Sequence, residues 1–416
     1  MNKFLYLLLF SFFSCVQLTA QNNNSPYSII GIGDIEKSNF DRTTGMGSAG
    51  IAMSSNRFMY QSNPASYVSL DNQFFYFDIT ARYKSVNYSG VPIVDPTQAT
   101  SSDLQFKKIA AAVKLKKRWA ISIGLLPYST VNYSFLGTKN VLGSNYSTPA
   151  YYTGVGSTNK LYIANSFSIT KNLTVGIEFN DIFGQIKETE AIAPGVIDTS
   201  LTTNRNILIG KSLFKAGFQY GFNLSKKVKF RMGGTISQKA TIKADYALVV
   251  TDGNTVILNN ESYKTQYFAL PATYAGGMAA IFNNTYTIAA DYTTQNWAAN
   301  NTTGLNYSLV DSRKMALGFE YSNKVTYYNQ TIEKYFLQTG IFYNDSYLKI
   351  NGVQLKDYGI SFGFGGQLRR SGLGLQCALE IGLNGTTNSN LIKERYTQLN
   401  FTLSYRDLWF VKRKYD

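Results

Sequence analysis

The chain has no histidine in 416 residues, which excludes histidine-based triads, histidine general bases and zinc sites with histidine ligands. Cysteine is almost as scarce, with only Cys15 and Cys377. No G-x-S-x-G nucleophile motif occurs. After the first twenty residues no segment offers the ~20 consecutive apolar residues of a membrane helix, although 44% of the chain is hydrophobic and 15% aromatic. Acidic residues are outnumbered 25 to 40, giving a net charge of +15. The cations are nevertheless scattered singly or in small clusters (Lys116-Lys117-Arg118, Lys226-Lys227, Arg369-Arg370, Lys412-Arg413-Lys414) without a basic helix or RNA-binding signature. Nucleic acid is therefore not an expected partner. No cofactor, no metal site and no enzyme activity is expected.

What is present begins with an export pattern. Lys3 precedes the apolar run Phe4 to Val16, followed by Leu18-Thr19-Ala20 and a polar Gln-Asn-Asn-Asn. Residues 1–20 therefore read as a signal peptide cleaved near Ala20. A lipoprotein signal at Cys15 is the competing reading, but Phe12, Phe13 and Ser14 make a poor lipobox. Cleavage leaves Cys377 alone, so no intrachain disulfide can form. Cys377 alternates with Leu375 and Leu379, as a small apolar filler on a lipid-facing surface would.

From residue 71 to 416 the dominant pattern has period two, placing alternate side chains on opposite faces of strands. Phe75, Phe77, Ile79, Ala81 and Tyr83 oppose Tyr76, Asp78, Thr80 and Arg82. Leu173, Val175, Ile177 and Phe179 oppose Thr174, Gly176, Glu178 and Asn180, and Leu399, Phe401, Leu403 and Tyr405 oppose Asn400, Thr402, Ser404 and Arg406. About 14 such segments reach the ~9 to 11 residues of a tilted membrane strand. Tight turns at Lys116-Lys117, Lys171-Asn172, Ser225-Lys226, Asn283-Asn284 and near Arg369-Arg370-Ser371 alternate with longer polar connections: 85–103, 129–159, 184–206, 245–263, 298–311 and 384–394. That asymmetry marks short periplasmic turns and longer extracellular loops. The fold class is all-β: a transmembrane antiparallel barrel of about 14 strands in the outer membrane of a Gram-negative bacterium, in contact with outer-membrane lipid and lipopolysaccharide.

Two stretches fit less well. The connection 323–333 should be a short turn, and the stretch 267–282, with Pro271 and Gly276-Gly277, alternates poorly and is expected to hold a bulge. A cation facing lipid at mid-membrane costs roughly 2–4 kcal/mol, so Arg82, Lys108, Lys215, Lys229, Arg231 and Lys314 should point inward. They share that face with Asp78, Glu178, Asp291, Glu320 and Glu380, whose expected role is ion pairing within the lumen. Tyr83, Trp119, Tyr128, Trp297, Trp409 and Phe410 are candidates for interfacial girdles.

Residues 21–70 lack strand periodicity and cluster glycine, with Gly45, Gly47 and Gly50 foremost. Gly45 to Gly50 spells G-x-G-x-x-G, but no apolar strand leads into it and no βαβ unit follows, so a dinucleotide site is rejected. A segment this long inside a compact domain should fold, and a plug in the lumen is the expected place for it. The order Gly45-Met46-Gly47-Ser48-Ala49-Gly50, then Asn63-Pro64-Ala65, then the first strand resembles the N-terminal hatch of the FadL/TodX-like outer-membrane transport proteins. The ending 403–414 resembles Bacteroidota members of that group. The resemblance implies ligand or gating roles for Asn63, Pro64 and Ala65, and a wall irregularity with a sideways opening near Pro127. It also implies passive transport of a hydrophobic or amphipathic small molecule. The polar, Asn/Ser/Tyr-rich loop 133–152 departs from a fatty-acid-binding surface. Two alternatives stay open: an accessory barrel subunit of a larger outer-membrane secretion or assembly complex, with other outer-membrane proteins or lipoproteins as partners, and a general porin.

Overall fold

The computed structural model describes residues 25–409 apart from 91–98, 141–144, 146, 193–200, 301, 305, 328–329 and 369–371. The expected signal peptide with Cys15, the Arg369-Arg370-Ser371 turn, Phe410 and the Lys412-Arg413-Lys414 cluster lie outside the described residues.

Fourteen antiparallel strands close into a barrel. They are β1 (Phe74–Gly90), β2 (Thr100–Lys116), β3 (Trp119–Asn140), β4 (Ser147–Ser168), β5 (Leu173–Ile192) and β6 (Leu201–Asn223). Next come β7 (Val228–Ser237, resuming as Ala240–Asp252) and β8 (Thr255–Leu270, resuming as Thr273–Phe282). The ring is completed by β9 (Tyr286–Gln295), β10 (Ser312–Tyr327), β11 (Gln330–Ile350), β12 (Val353–Gln367), β13 (Leu373–Gly385) and β14 (Ile392–Leu408). β14 pairs with β1 along its whole length, from Leu408 opposite Phe74 to Ile392 opposite Gly90, so the sheet has no outer edge.

Alternation dictates the two surfaces. Phe401, Leu403, Ile177 and Phe179 are exposed on the outside, while Asp78, Thr80, Arg82, Glu178, Asn180, Asn400 and Thr402 are buried inside. Cys377 stands opposite Phe364 and Phe401 in the outward-facing row. At one place the alternation breaks to good purpose. The β1–β2 register shifts between Thr80 and Ala81, and the bulge turns two consecutive residues inward, so that Lys107 and Lys108 are both buried.

Several expectations are corrected. Both ends of the predicted loop 85–103 are strand, 85–90 and 100–103, with β1 and β2 paired as far as Asn87 and Thr100. β3 and β4 pair to Asn140 and Ser147, and β5 and β6 to Ile192 and Leu201. Within 245–263 lies a hairpin turning at Gly253. Above the lipid the outer face no longer needs apolar side chains, so the strand continues after its hydrophobic signature stops. The same extension explains 323–333, where β10 and β11 stay paired to Tyr327 and Gln330 through a register shift at Asn323/Lys324. The irregular stretch 267–282 is a strand interrupted at Pro271-Ala272, and its neighbour β7 breaks beside it at Gln238-Lys239. Proline cannot donate to the ladder, and the two breaks kink adjacent strands together. Finally, Tyr128 and Trp297 leave the predicted girdle. Trp297 is fully buried in the lumen, stacked on Tyr347 at 4.5 Å, and Tyr128 packs against the same apolar cluster.

Candidate functional site

The site is the barrel interior, and the N-terminal residues 25–70 occupy it. Local sequence shapes them into three short 3₁₀ turns, Pro26–Ile29, Arg42–Met46 and Pro64–Ser69. Asp41 caps the second: one carboxylate oxygen accepts from the Thr43 amide at 2.9 Å, and the other accepts from the Gln61 amide at 2.8 Å. Gly47 ends that turn at φ +65°, in the left-handed region that glycine tolerates. Asn63-Pro64-Ala65 is a helix start. The Asn63 Oδ1 accepts from the Ala65 amide at 3.0 Å, and Pro64 occupies the first position, where its missing N–H costs nothing.

The wall is carved to receive this segment. Gly176 (β5), Gly217 (β6), Gly233 (β7), Gly277 (β8), Gly318 (β10), Gly340 (β11) and Gly363 (β12) all face it, and a Cβ at any of them would overlap a neighbouring atom. At Gly176 that atom belongs to Pro64, at Gly217 to Asn63, at Gly233 to Ile51, and at Gly318 and Gly340 to Met46. Gly277 would meet both Asp291 and Ile51, and Gly363 both Gln338 and Gly45. Of the predicted plug glycines, Gly45 lies against Gly363, the Gly47 amide donates to Ser361 Oγ at 2.7 Å, and the Gly50 amide donates to Asp291 at 2.6 Å.

Polar contacts anchor the segment further. Arg42 is its central pin. The guanidinium meets Glu320 at 2.8 Å and Glu333 at 2.6 Å and lies 3.8 Å from the Phe336 ring centroid, with Arg42 and Glu320 buried and Glu333 nearly so. Arg82 pairs with Glu36 at 3.0 Å, Lys37 with Asp357 at 2.7 Å, and Lys108 with Asp78 at 3.3 Å. Lys215 donates to the Ser62 carbonyl at 2.8 Å, and Arg231 to that of Ser54 at 2.8 Å. Asn63 Nδ2 donates to the Ile51 carbonyl at 3.0 Å and to the wall carbonyl of Phe218 at 2.9 Å. Burial works to raise the Glu36 carboxyl, but Arg82 and Lys107 overcome it and hold it down at about 2.

Asp78, Arg82, Lys215, Arg231, Asp291 and Glu320 thus all hold this segment or an inward neighbour. Glu178 differs: it is fully buried, stands opposite Lys215 in the β5–β6 register, and its carboxylate oxygens accept no hydrogen bond among the described residues. Lys229 is exposed at the short-turn end. Sequence reasoning missed Glu36, Lys37, Arg42, Lys107 and Glu333. Charges inside a glycine-rich stretch destined for a lumen were the available signal, since buried ions need partners.

Pro127 lies where the wall parts. β2 and β3 pair only from Lys116/Trp119 to Ile109/Leu125. Beyond that point the inner segment bonds to β3 instead: Asp34 and Ile35 pair with Thr130 and Ser129, the Glu36 amide donates to the Tyr128 carbonyl at 2.9 Å, and the Ser25 amide to that of Asn132 at 2.7 Å.

The lumen is layered along its axis. At the loop end an apolar cluster, including Tyr27, Ile32, Val131, Ile182, Ile242, Trp297 and Leu348, spans from wall to wall. Beneath it lie two cavities, of about 300 Å³ beside Glu178, Lys160, Lys215 and Asp291, and about 110 Å³ beside Glu36, Arg82, Lys84, Glu380 and Glu394. The glycine-cradled body of the segment comes next. Among the described residues no three histidine, cysteine or carboxylate side chains cluster as metal ligands would.

The family model described as BamG matches residues 1–416. Among solved structures, the chain is similar to a Pseudomonas aeruginosa FadL homologue (TM-score 0.61, 13% identity, 91% of this chain and 100% of that one). It is also similar to the Ralstonia pickettii toluene transporter TbuX (TM-score 0.58, 14% identity, 88% and 97%) and the P. putida toluene transporter TodX (TM-score 0.56, 15% identity, 84% and 94%). At these identities the likeness is one of fold, and the fold is that of outer-membrane transport barrels. No curated protein matches the chain.

Proposed function

The chain belongs to the BamG family, and we propose from that membership and from its filled lumen that it is an outer-membrane barrel acting as an accessory subunit of a larger outer-membrane assembly or secretion complex. One observation carries this reading: the inner segment and an apolar cluster at the loop end both lie across the lumen. The glycine-cradled segment is fastened by a buried arginine with two carboxylates, and the apolar cluster lies over it at the loop end. The cavities between set Glu178, Lys160, Lys215 and Asp291, or Glu36, Arg82, Lys84, Glu380 and Glu394, among apolar neighbours, so a hydrophobic solute entering them would strip those charges of solvation without repaying it. A barrel built this way offers rigid surfaces rather than a route. Its partners are other outer-membrane proteins or lipoproteins, its export uses the signal at residues 1–20, and its role is non-catalytic.

Affinity purification of the full chain in mild detergent tests the proposal. Stoichiometric recovery with other envelope proteins is the expected result; a lone monomer from native membranes at endogenous expression is the contrary one.

A second reading has its own support. The parting of β2 from β3 at Pro127, on a fold shared with toluene transporters, suits passive movement of a hydrophobic or amphipathic small molecule. Here the inner segment serves as a hatch, and Asn63-Pro64-Ala65 must shift to let the ligand leave through the wall near Pro127. Faster uptake of labelled toluene into liposomes carrying the protein than into empty ones would favour it over the subunit reading.

A further inference from the structure

The cations at the short-turn end are not used by either reading. Three adjacent turns, joining β2 to β3, β4 to β5 and β6 to β7, carry Lys116, Lys117, Arg118, Lys171, Lys226 and Lys227, all exposed. None of these six makes an ion pair among the described residues. No Asp or Glu occurs anywhere in 104–177 or 205–244, so the strands and turns of this arc carry no acid near the rim themselves. The next turn along, Asn283-Asn284-Thr285, is neutral, so the run of three basic turns ends there on that side.

Neighbouring side chains fix the depth of that charge. Leu115, Ile169 and Leu224 are exposed aliphatics in the same turns, Leu224 by 71%. Just behind them stand Trp119 stacked on Phe167, with centroids 6.2 Å apart, and the run Tyr220, Phe222 and Phe230 with spacings of 5.9 and 5.4 Å. Aromatic girdles mark the edge of the hydrocarbon, beyond which the headgroup layer is about 5–8 Å deep. The last ladder pairs are Lys116/Trp119, Ser168/Thr174 and Asn223/Lys229, so every one of the six lies within about three residues of the ladder. The turns are too short to lift these cations into the periplasm, and their aliphatic neighbours face the bilayer.

We infer that this sector is a binding site for anionic phospholipid headgroups in the periplasmic leaflet of the outer membrane. The lysine and arginine side chains would hold headgroup phosphates while Leu115, Ile169 and Leu224 contact the acyl chains. An acidic protein would need cations standing clear of the membrane surface, which these turns do not provide.

Trp119 lets the site be read directly. In the full chain carrying W409F, Trp119 is the tryptophan that lipid reaches, because Trp297 is fully buried. Reconstituted into phosphatidylcholine vesicles, its fluorescence should be quenched more strongly by brominated phosphatidylglycerol than by brominated phosphatidylcholine at equal fraction. Each charge removed should weaken the preference about fivefold, the equivalent of about 1 kcal/mol per cation at an anionic surface. K116Q/K117Q/R118Q should therefore lose the preference, whereas K116R/K117R should keep it. Heat-modified gel mobility identifies any variant that fails to fold, and the arginine variant then decides with wild type. Equal quenching by the two lipids in wild type would overturn the inference. So would an unchanged preference in the folded triple-glutamine variant, or an acidic envelope protein that co-purifies with wild type and is lost from that variant while the lipid preference stays.

Discussion

Replacing Arg42 with methionine removes the pin between the inner segment and the wall while leaving a side chain of similar reach. In the wild type the guanidinium neutralises Glu320 and Glu333, and the three side chains are 4%, 6% and 10% exposed. Without it two carboxylates remain buried and uncompensated, an arrangement that costs about 3–5 kcal/mol. If that cost falls on docking of the segment, the undocked population rises roughly 150- to 5,000-fold, and so does cleavage when opening is fast relative to the protease. Chymotryptic cleavage after Tyr60 reports it, since Tyr60 is buried in the docked state and lies far from the substitution in sequence. The strands should stay protected in the same digest. R42M/E320Q/E333Q should return most of the protection, because neutral amides replace stranded charges. Wild-type cleavage rates in R42M, or a triple variant as labile as the single one, would refute the reasoning.

Gly340→Val should prevent docking, because a Cβ there overlaps the Met46 carbonyl carbon and the Gly47 amide. The expected loss is about 1–3 kcal/mol or more, measured by the same digest. Asn63→Ala removes a cap and the donor to the Ile51 and Phe218 carbonyls, for an expected loss of about 1–3 kcal/mol in segment protection. The Glu36 carboxyl is held at about 2 against an ordinary 4.5, so its contribution is present above pH 4.5 and fades as pH falls toward 2. Up to about 3 kcal/mol of docking should disappear over that window, and Glu36→Gln should flatten the dependence of segment protection on pH.

The barrel was legible because its rule is local. Alternation such as Phe75 to Tyr83 needs only neighbours two residues apart, and a bilayer enforces it on every strand. The rule stops at the lipid boundary, which is why ladder residues such as 133–140 read as loop. Trp297 was misplaced for a related reason: an aromatic at a strand end suits either surface, and only the break at Pro271 and the ring of Tyr347 turn it inward. The inward charges Arg82, Lys215 and Asp291 were visible from the cost of exposing them to lipid. Their partners Glu36, Ser62 and Gly50 were not, because pairing across dozens of residues depends on the packing of a segment with no period of its own.

The seven wall glycines also bear on how the molecule is made. A body seated against notches on seven separate staves meets its complete surroundings only once those staves stand side by side. Wrapping the wall around its own amino-terminal end would let the notches close on that body one after another, with the junction of the first and last staves the final one to zip.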